Sequence, residues 1–240
     1  MSDSILPSRS RRLVLRPAGL PAAGLAAFLS IAFPNQSDAQ AIRHRLDSLD
    51  GLQVHRVTAE PATYQGRKAI RVTETGQARE DRLVLLKDVS FQDGRIEIDV
   101  AGKPGAGTSE LARGFIGVAF RVAPDVSRFE CIYLRPANGR AEDQVRRNHS
   151  VQYVSFPDFP WQKLRKETPE RYETYVDLVP GEWTKVRIEV RGVKARLYVH
   201  DAEQPTLLVN DLKLGEAKGT VGLWIGPGTE GYFANLRIGP

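Results

Sequence analysis

The chain has 240 residues, with 34 Lys and Arg against 29 Asp and Glu and a formal net charge of +5. Charged residues make up 26% and hydrophobic residues 41%, which are ordinary globular values and exclude a wholly disordered chain or a protein with several membrane spans. The single cysteine, Cys131, excludes an intramolecular disulfide and a cysteine-rich zinc or iron–sulfur site.

Residues 1–41 have the composition of an export signal. Four arginines lie between residues 9 and 16, an apolar stretch runs from Ala18 to Phe33, and residues 39–41 have the small-x-small form of a signal peptidase site. The apolar stretch contains Pro21 and is shorter than the roughly 18 residues of a spanning helix, so we expect a cleaved signal peptide and no permanent membrane anchor. Ser10–Arg16 resembles a twin-arginine signal, and an ordinary Sec signal is the alternative. A periplasmic or secreted protein is therefore expected.

Removal of residues 1–41 also changes the charge balance. Four arginines and two aspartates leave with this segment, so residues 42–240 hold 30 basic and 27 acidic residues. The densest basic patch, at Arg140, Arg146 and Arg147, is interrupted by Glu142 and Asp143. We therefore expect no nucleic-acid partner.

After residue 41 the dominant pattern is period-two alternation in short runs separated by Gly, Pro and Asp. We expect eleven strands, at Ala69–Thr73, Arg82–Leu86, Gly94–Val100, Phe115–Val122, Phe129–Arg135, Ser150–Val154, Thr184–Val190, Ala195–Val199, Leu207–Val209, Val221–Ile225 and Tyr232–Ile238. No stretch of useful length shows a helical 3.6-residue repeat. The pattern predicts one all-β domain over residues 42–240, built as a sandwich or a barrel.

One interval, at about residues 136–182, breaks this spacing. It holds one convincing strand, five prolines counted from 136 to 180, and six aromatic residues. Long insertions in compact domains are usually functional or disordered, and this aromatic content argues against disorder. We expect ordered loops that cover one face of the sandwich.

Several of these segments together resemble the concanavalin A-like lectin/glucanase superfamily. The resemblance covers roughly residues 50–239 and rests on Phe91–Val100, Gly117–Arg121, Tyr133–Pro136, Trp183–Val190, Gly219–Trp224 and Phe233–Leu236. Within the superfamily the chain is most similar to laminin G-like jelly rolls and to the domain family named for 3-keto-disaccharide hydrolases. The resemblance implies a two-sheet antiparallel jelly-roll sandwich that recognises carbohydrate on a concave face. It further implies action on a glycan or modified disaccharide, as a glycoside hydrolase-like enzyme.

Strand alternation indicates which residues could bind such a ligand, because it separates buried from outward side chains. Arginine presents a planar fork that holds two oxygens, and aromatic rings offer apolar faces to sugar C–H groups. We expect a polar, uncharged or acidic sugar to bind to Arg121, Tyr133, Arg135, Asn138, Gln152, Trp161 and Arg165. The alternative is that Arg121 and Arg135 pair with strand carboxylates in a solvated ladder.

The candidate catalytic residues are His149, Glu97, Asp99 and Glu189. His149 suits a general base because histidine titrates near neutral pH, and Glu173 and Glu182 are candidate partner acids that spacing does not place. Glu97 and Asp99 resemble the start of a family 16 glucanase signature, but the second glutamate is missing, which favours an exposed charged strand. A non-catalytic lectin-like module and a structural envelope protein are the alternatives to an enzyme.

The sequence contains no histidine or carboxylate set with metal-binding spacing. Calcium bound through loop carbonyls would leave no signature, so the cofactor stays unknown, as does the oligomeric state.

Overall fold

The computed structural model describes residues 41–75 and 81–240. The expected signal peptide falls almost wholly on residues 1–40, outside the described residues. Within the described part, the strands are β1 (Ile42–His44), β2 (Leu52–His55), β3 (Val57–Tyr64), β4 (Arg67–Glu74), β5 (Leu83–Leu86), β6 (Gly94–Pro104), β7 (Ile116–Val122), β8 (Phe129–Leu134), β9 (Val151–Phe156), β10 (Glu173–Thr174), β11 (Thr184–Arg191), β12 (Lys194–Val199), β13 (Leu207–Val209), β14 (Thr220–Ile225) and β15 (Thr229–Gly239). Three short helices, α1 (Pro136–Gly139), α2 (Gln144–Asn148) and α3 (Trp161–Glu167), lie in the insertion.

The strands form two antiparallel sheets. The eight-stranded sheet has the order β13-β12-β11-β6-β15-β4-β3, with β1 also paired to β15, and the seven-stranded sheet has the order β10-β9-β8-β7-β14-β5-β2. Neighbouring strands within each sheet are often far apart in sequence, as β6 and β15 are. This order confirms the predicted two-sheet jelly-roll sandwich.

The core lies between the two sheets and follows the alternation read from the sequence. Its members include Ile96, Ile98, Val100, Val186, Ile188 and Leu197 from the eight-stranded sheet, and Ile116, Val118, Phe120, Ile132, Leu134 and Val151 from the seven-stranded sheet. The outer face of the seven-stranded sheet also buries apolar groups, among them Leu83, Leu85, Cys131, Tyr133 and Trp224. A second layer of chain therefore covers part of that face.

The described residues form more strands than the eleven expected, together with three short helices. The edge strand β3 contains Pro61, and a proline is tolerated at a sheet edge although it weakens the strand pattern. The helices have only four to seven residues, too few for an amphipathic stripe. Local signals mark their starts, because Pro136 begins α1 and the Asp143 carboxylate accepts hydrogen bonds from the amides of Val145 and Arg146.

Candidate functional site

One row of side chains crosses five strands on the outer face of the seven-stranded sheet. Trp224 on β14 is the register partner of Gly117 on β7, and Gly117 is the partner of Tyr133 on β8. The row continues through Gln152 on β9 to Glu173 on β10. Residues paired directly across antiparallel strands lie on the same face. The row therefore brings two aromatic rings next to an amide and a carboxylate.

Gly117 allows the two aromatic rings of this row to meet. A Cβ atom at this position would lie 2.3 Å from the Ile132 carbonyl oxygen and 2.5 Å from the Tyr133 Cβ. The ring centroids of Tyr133 and Trp224 are 4.7 Å apart, and Phe115 packs edge-on against Tyr133 at 6.2 Å. These three rings form an aromatic floor, of which Phe115 is the half-exposed member.

Arg135 lies just beyond this row and is fixed by hydrogen bonds on both sides of its guanidinium. Its Nη1 donates to the His149 carbonyl at 3.0 Å and to Glu173 Oε1 at 3.1 Å. Its Nη2 donates to the Tyr133 hydroxyl and to Gln152 Oε1, each at 3.0 Å. The residue is 5% exposed. Arg135 therefore holds the polar half of the row in place.

Glu173 is shared by two arginines and a histidine. Its Oε1 accepts from Arg135, both of its oxygens accept from Arg165, and its Oε2 lies 3.4 Å from His149 Nε2. Burial raises the pKa of this carboxyl, but the hydrogen bond from Arg165 and the charges of Arg135, Arg165 and His149 outweigh that effect and lower the pKa below 4.5. Glu173 is therefore ionised at neutral pH and acts as a counter-ion.

His149 follows α2 and contacts the same cluster. Burial lowers the pKa of its ring below 6.5, and the charges of Arg165 and Arg135 add to this effect while Glu173 opposes it. The ring is therefore mainly neutral at pH 7 and retains an unprotonated nitrogen. The His149 carbonyl also accepts a hydrogen bond from Asn138 Nδ2 at 3.1 Å.

A groove with a cavity volume of about 860 Å³ opens over the aromatic floor. Its lining includes Tyr133, Arg135, Asn138, His149, Trp161 and Arg165 among the residues expected from the sequence, and Arg113, Phe115, Arg146 and Trp224 in addition. Trp161 begins α3 and is half-buried, with the Arg165 guanidinium 4.6 Å from its ring centroid. Gln152 lies beneath the groove and is fully buried, bonded to Arg135.

Arg121 was expected on this face, and the structure places it elsewhere. Its backbone φ is +54°, where β7 and β14 change register, so its side chain leaves the alternation of the strand. The guanidinium is buried and donates to the Gln92, Gly192 and Gly215 carbonyls and to the Asp93 carboxylate. Arg121 therefore ties loops together and lies outside the groove.

Three expected catalytic acids lie on the other sheet. Glu97 and Asp99 are on β6 and Glu189 is on β11, so they do not share a sheet with the expected ligand-binding residue Tyr133 on β8. Asp99 pairs with Arg67 at 3.0 Å, and Glu189 pairs with Arg95 at 3.1 Å. Alternation assigns a residue to a face but does not say which sheet the strand joins. These carboxylates do not converge with His149.

Sequence reasoning missed several members of the groove. Trp224 could have been found, because it alternates with the core residues Leu223 and Ile225 and so faces outward. Arg113 and Arg146 carried no such signal, since one lies in a loop and the other on a five-residue helix. Glu173 was considered as a partner acid, and β10 places it beside His149.

The described residues contain no cluster of three or more His, Cys, Asp and Glu side chains suited to a metal ion. In the same part of the chain, no helix has the length and apolar character needed to cross a membrane.

Comparisons with known proteins bear on the fold. No family model and no curated protein matches the chain. The carbohydrate-binding module CBM66 from Bacillus subtilis superposes with a TM-score of 0.52 at 16% identity, covering 78% of this chain and 95% of that chain. A Bacillus subtilis protein of unknown function with a galectin-like fold gives a TM-score of 0.53 at 10% identity, covering 84% and 96%.

Lectin II from Ulex europaeus gives a TM-score of 0.49 at 9% identity, covering 85% of this chain and 99% of that chain. At such identities the similarities define the fold and leave the ligand open. The two superpositions with TM-scores above 0.5 and the two antiparallel sheets together show that the chain folds as a two-sheet jelly-roll sandwich.

Proposed function

We propose that the groove over the seven-stranded sheet binds carbohydrate. The observation that carries this proposal is the half-exposed ring of Phe115, supported by Tyr133 and Trp224 at 3% exposure each, beside arginine, histidine and asparagine side chains. Sugars present apolar C–H faces and polar rims, so a site for them combines aromatic surface with hydrogen-bonding groups. Trp161 supplies a further ring at the wall, and Leu111 at the rim is 75% exposed.

Two polar atoms of the groove residues support the same proposal. Asn138 Oδ1 and Arg146 Nε are buried and have no hydrogen-bond partner within residues 41–75 and 81–240. An unsatisfied buried donor or acceptor costs about 1–3 kcal/mol. A sugar hydroxyl both donates and accepts, so one hydroxyl could satisfy either atom. The fold similarity to a protein named as a carbohydrate-binding module is consistent with this role.

Calorimetric titration against a panel of oligosaccharides chosen by glycan array tests the proposal. Trp161→Ala should weaken binding by about 1–2 kcal/mol, or about five- to thirtyfold, because it removes an aromatic anchor from the wall. Trp183→Ala is the matched control, since Trp183 is also half-buried but packs on Tyr64 at the outer face of the eight-stranded sheet. Equal affinities for both variants, or no binding by the wild type, would contradict the proposal.

Hydrolysis is the second candidate function, and the 3.4 Å contact between His149 and Glu173 is the observation that favours it. Glycoside hydrolysis commonly needs two carboxyl groups across the scissile bond. Among the described residues, Glu74 is the one carboxylate that lines the groove, and Glu173 is held ionised behind it by two arginines. We therefore propose binding without turnover, which product analysis on native and oxidised disaccharides checks. Turnover that His149→Gln abolishes would establish hydrolysis instead.

We also propose that residues 1–41 direct export, which fits a carbohydrate ligand outside the cytoplasm. The exported protein should have the mass of residues 42–240, measured by intact mass spectrometry. Replacing Arg11 and Arg12 by lysine should block export if the signal is of the twin-arginine type. Protein retained in the cytoplasm at full length would contradict the proposal.

A further inference from the structure

Arginines outnumber carboxylates along the groove. Arg113, Arg135, Arg146 and Arg165 all line it, whereas Glu74 is the one lining carboxylate among the described residues. Glu173 compensates Arg135 and Arg165 together with a single charge. Glu74 has its own partner, since its Oε2 lies 3.6 Å from Arg82 Nη2.

Arg113 and Arg146 are held close together at one end of the groove. The backbone carbonyl of Arg113 accepts a hydrogen bond from the Ala137 amide, and the Ala137 carbonyl accepts one from Arg146 Nη2. Within the described residues, the Arg113 guanidinium donates to the carbonyls of Glu110 and Ala112 and to no other group. Neither arginine has an ion pair with a carboxylate of residues 41–75 or 81–240.

This arrangement costs free energy while the groove is empty. Burial and the charges of Arg146 and Arg135 lower the pKa of Arg113, because both disfavour its protonated form. Arg146 Nε is a buried donor without a partner in the described chain, and Asn138 Oδ1 is an equally unpartnered buried acceptor of another residue in the same lining. A bound anion would relieve the repulsion between the arginines and accept from Arg146 Nε. A hydroxyl of the same ligand would donate to Asn138.

We infer that the groove selects an anionic sugar, one whose carboxylate or sulfate group lies between Arg113 and Arg146 while a sugar ring lies on the half-exposed Phe115 of the aromatic floor. The inference rests on the proposed carbohydrate-binding function and names its ligand class. A guanidinium fork matches the paired oxygens of either group, so the two anions share one recognition chemistry. The neutral part of the ligand would lie on Phe115 and Trp161.

Paired ligands that differ only in charge provide the test. Trigalacturonate and its methyl ester are titrated into the purified protein, and a sulfated disaccharide is compared with its desulfated form. The acid or the sulfate ester should bind at least tenfold tighter than its neutral partner. The ligand pair with the larger ratio of charged to neutral affinity shows whether the groove prefers a carboxylate or a sulfate. Arg113→Gln and Arg146→Gln should each reduce this ratio about fivefold or more, whereas Arg113→Lys should retain part of the preference.

Arg147→Gln is the matched control, because Arg147 is the next residue on α2 but contacts Tyr175 and does not line the groove. A glutamine variant that lowers the preference no more than Arg147→Gln overturns the inference. Equal, Trp161-dependent binding of charged and neutral partners also overturns it and leaves the carbohydrate-binding function standing. If no sugar binds in either its charged or its neutral form, both this inference and the proposed carbohydrate-binding function are wrong. Thermal unfolding of each variant confirms that it is folded before titration.

Discussion

Replacing Glu173 by glutamine removes the charge shared by Arg135, Arg165 and His149 while keeping the side-chain volume. The carboxylate side chain is 2% exposed, so it interacts in a poorly solvated place. Removing one partner of a buried ion pair costs about 3–5 kcal/mol. The cost here should be about 2–4 kcal/mol, because glutamine retains one accepting oxygen and the Arg165 side chain, 33% exposed, can turn to solvent. Domains of this kind are stable by about 5–15 kcal/mol, so the variant should still fold.

The unfolding free energy that Glu173→Gln loses should become smaller as the pH falls. Because folding lowers the pKa of Glu173 below 4.5, its stabilisation is complete above about pH 4.5 and disappears as the pH falls through the folded-state pKa. The difference in unfolding free energy between wild type and Glu173→Gln should therefore be full at pH 7 and should decrease as the pH falls below about 4.5. Urea unfolding at several pH values measures it, with Glu182→Gln as an exposed control expected within about 0.5 kcal/mol of wild type. A loss below about 0.5 kcal/mol at pH 7, or one that does not shrink in acid, would refute the reasoning.

Three further outcomes are expected. Arg121→Met should lower the unfolding free energy by about 1–3 kcal/mol, since it removes the buried guanidinium that bonds to three half-buried loop carbonyls and to Asp93, yet it should change sugar affinity less than twofold in calorimetry; a loss of affinity without a loss of stability would place Arg121 in the site after all. Gly117→Ala should separate the Tyr133 and Trp224 rings and weaken sugar binding with a loss of about 1–3 kcal/mol of stability; unchanged near-ultraviolet circular dichroism would count against this. Because a bound anion favours the protonated ring of His149, whose pKa in the empty groove is below 6.5, wild-type affinity for an acidic sugar should increase as the pH falls through that pKa, and His149→Gln should lose this slope; a flat wild-type profile would disprove the linkage.

The residues of the groove differ in how far local pattern could predict them. Tyr133 and Arg135 were predictable, because they alternate with the core residues Ile132 and Leu134 along one strand. Arg121 was expected to face the groove because it follows Gly117 and Ala119 at every second position of β7. The positive φ of Arg121 lies where β7 and β14 change register, so the alternation of β7 ends before Arg121. A bulge of this kind needs only one residue in an unusual backbone conformation, and an arginine at that position gives no sign in the sequence that a bulge is present.

Sequence alone determined the strand pattern, the buried face of most strands and the all-β class, because each depends on a period of two residues within a single strand. Which strands lie next to each other depends on contacts between residues far apart in the chain, and hydrophobic alternation is the same for every candidate partner. Only the tertiary structure therefore placed Glu173 beside Arg135 and His149, and Glu97 and Asp99 on the opposite sheet. The same holds for Arg113 and Arg146, which are 33 residues apart and meet only because α1 bonds to both of them.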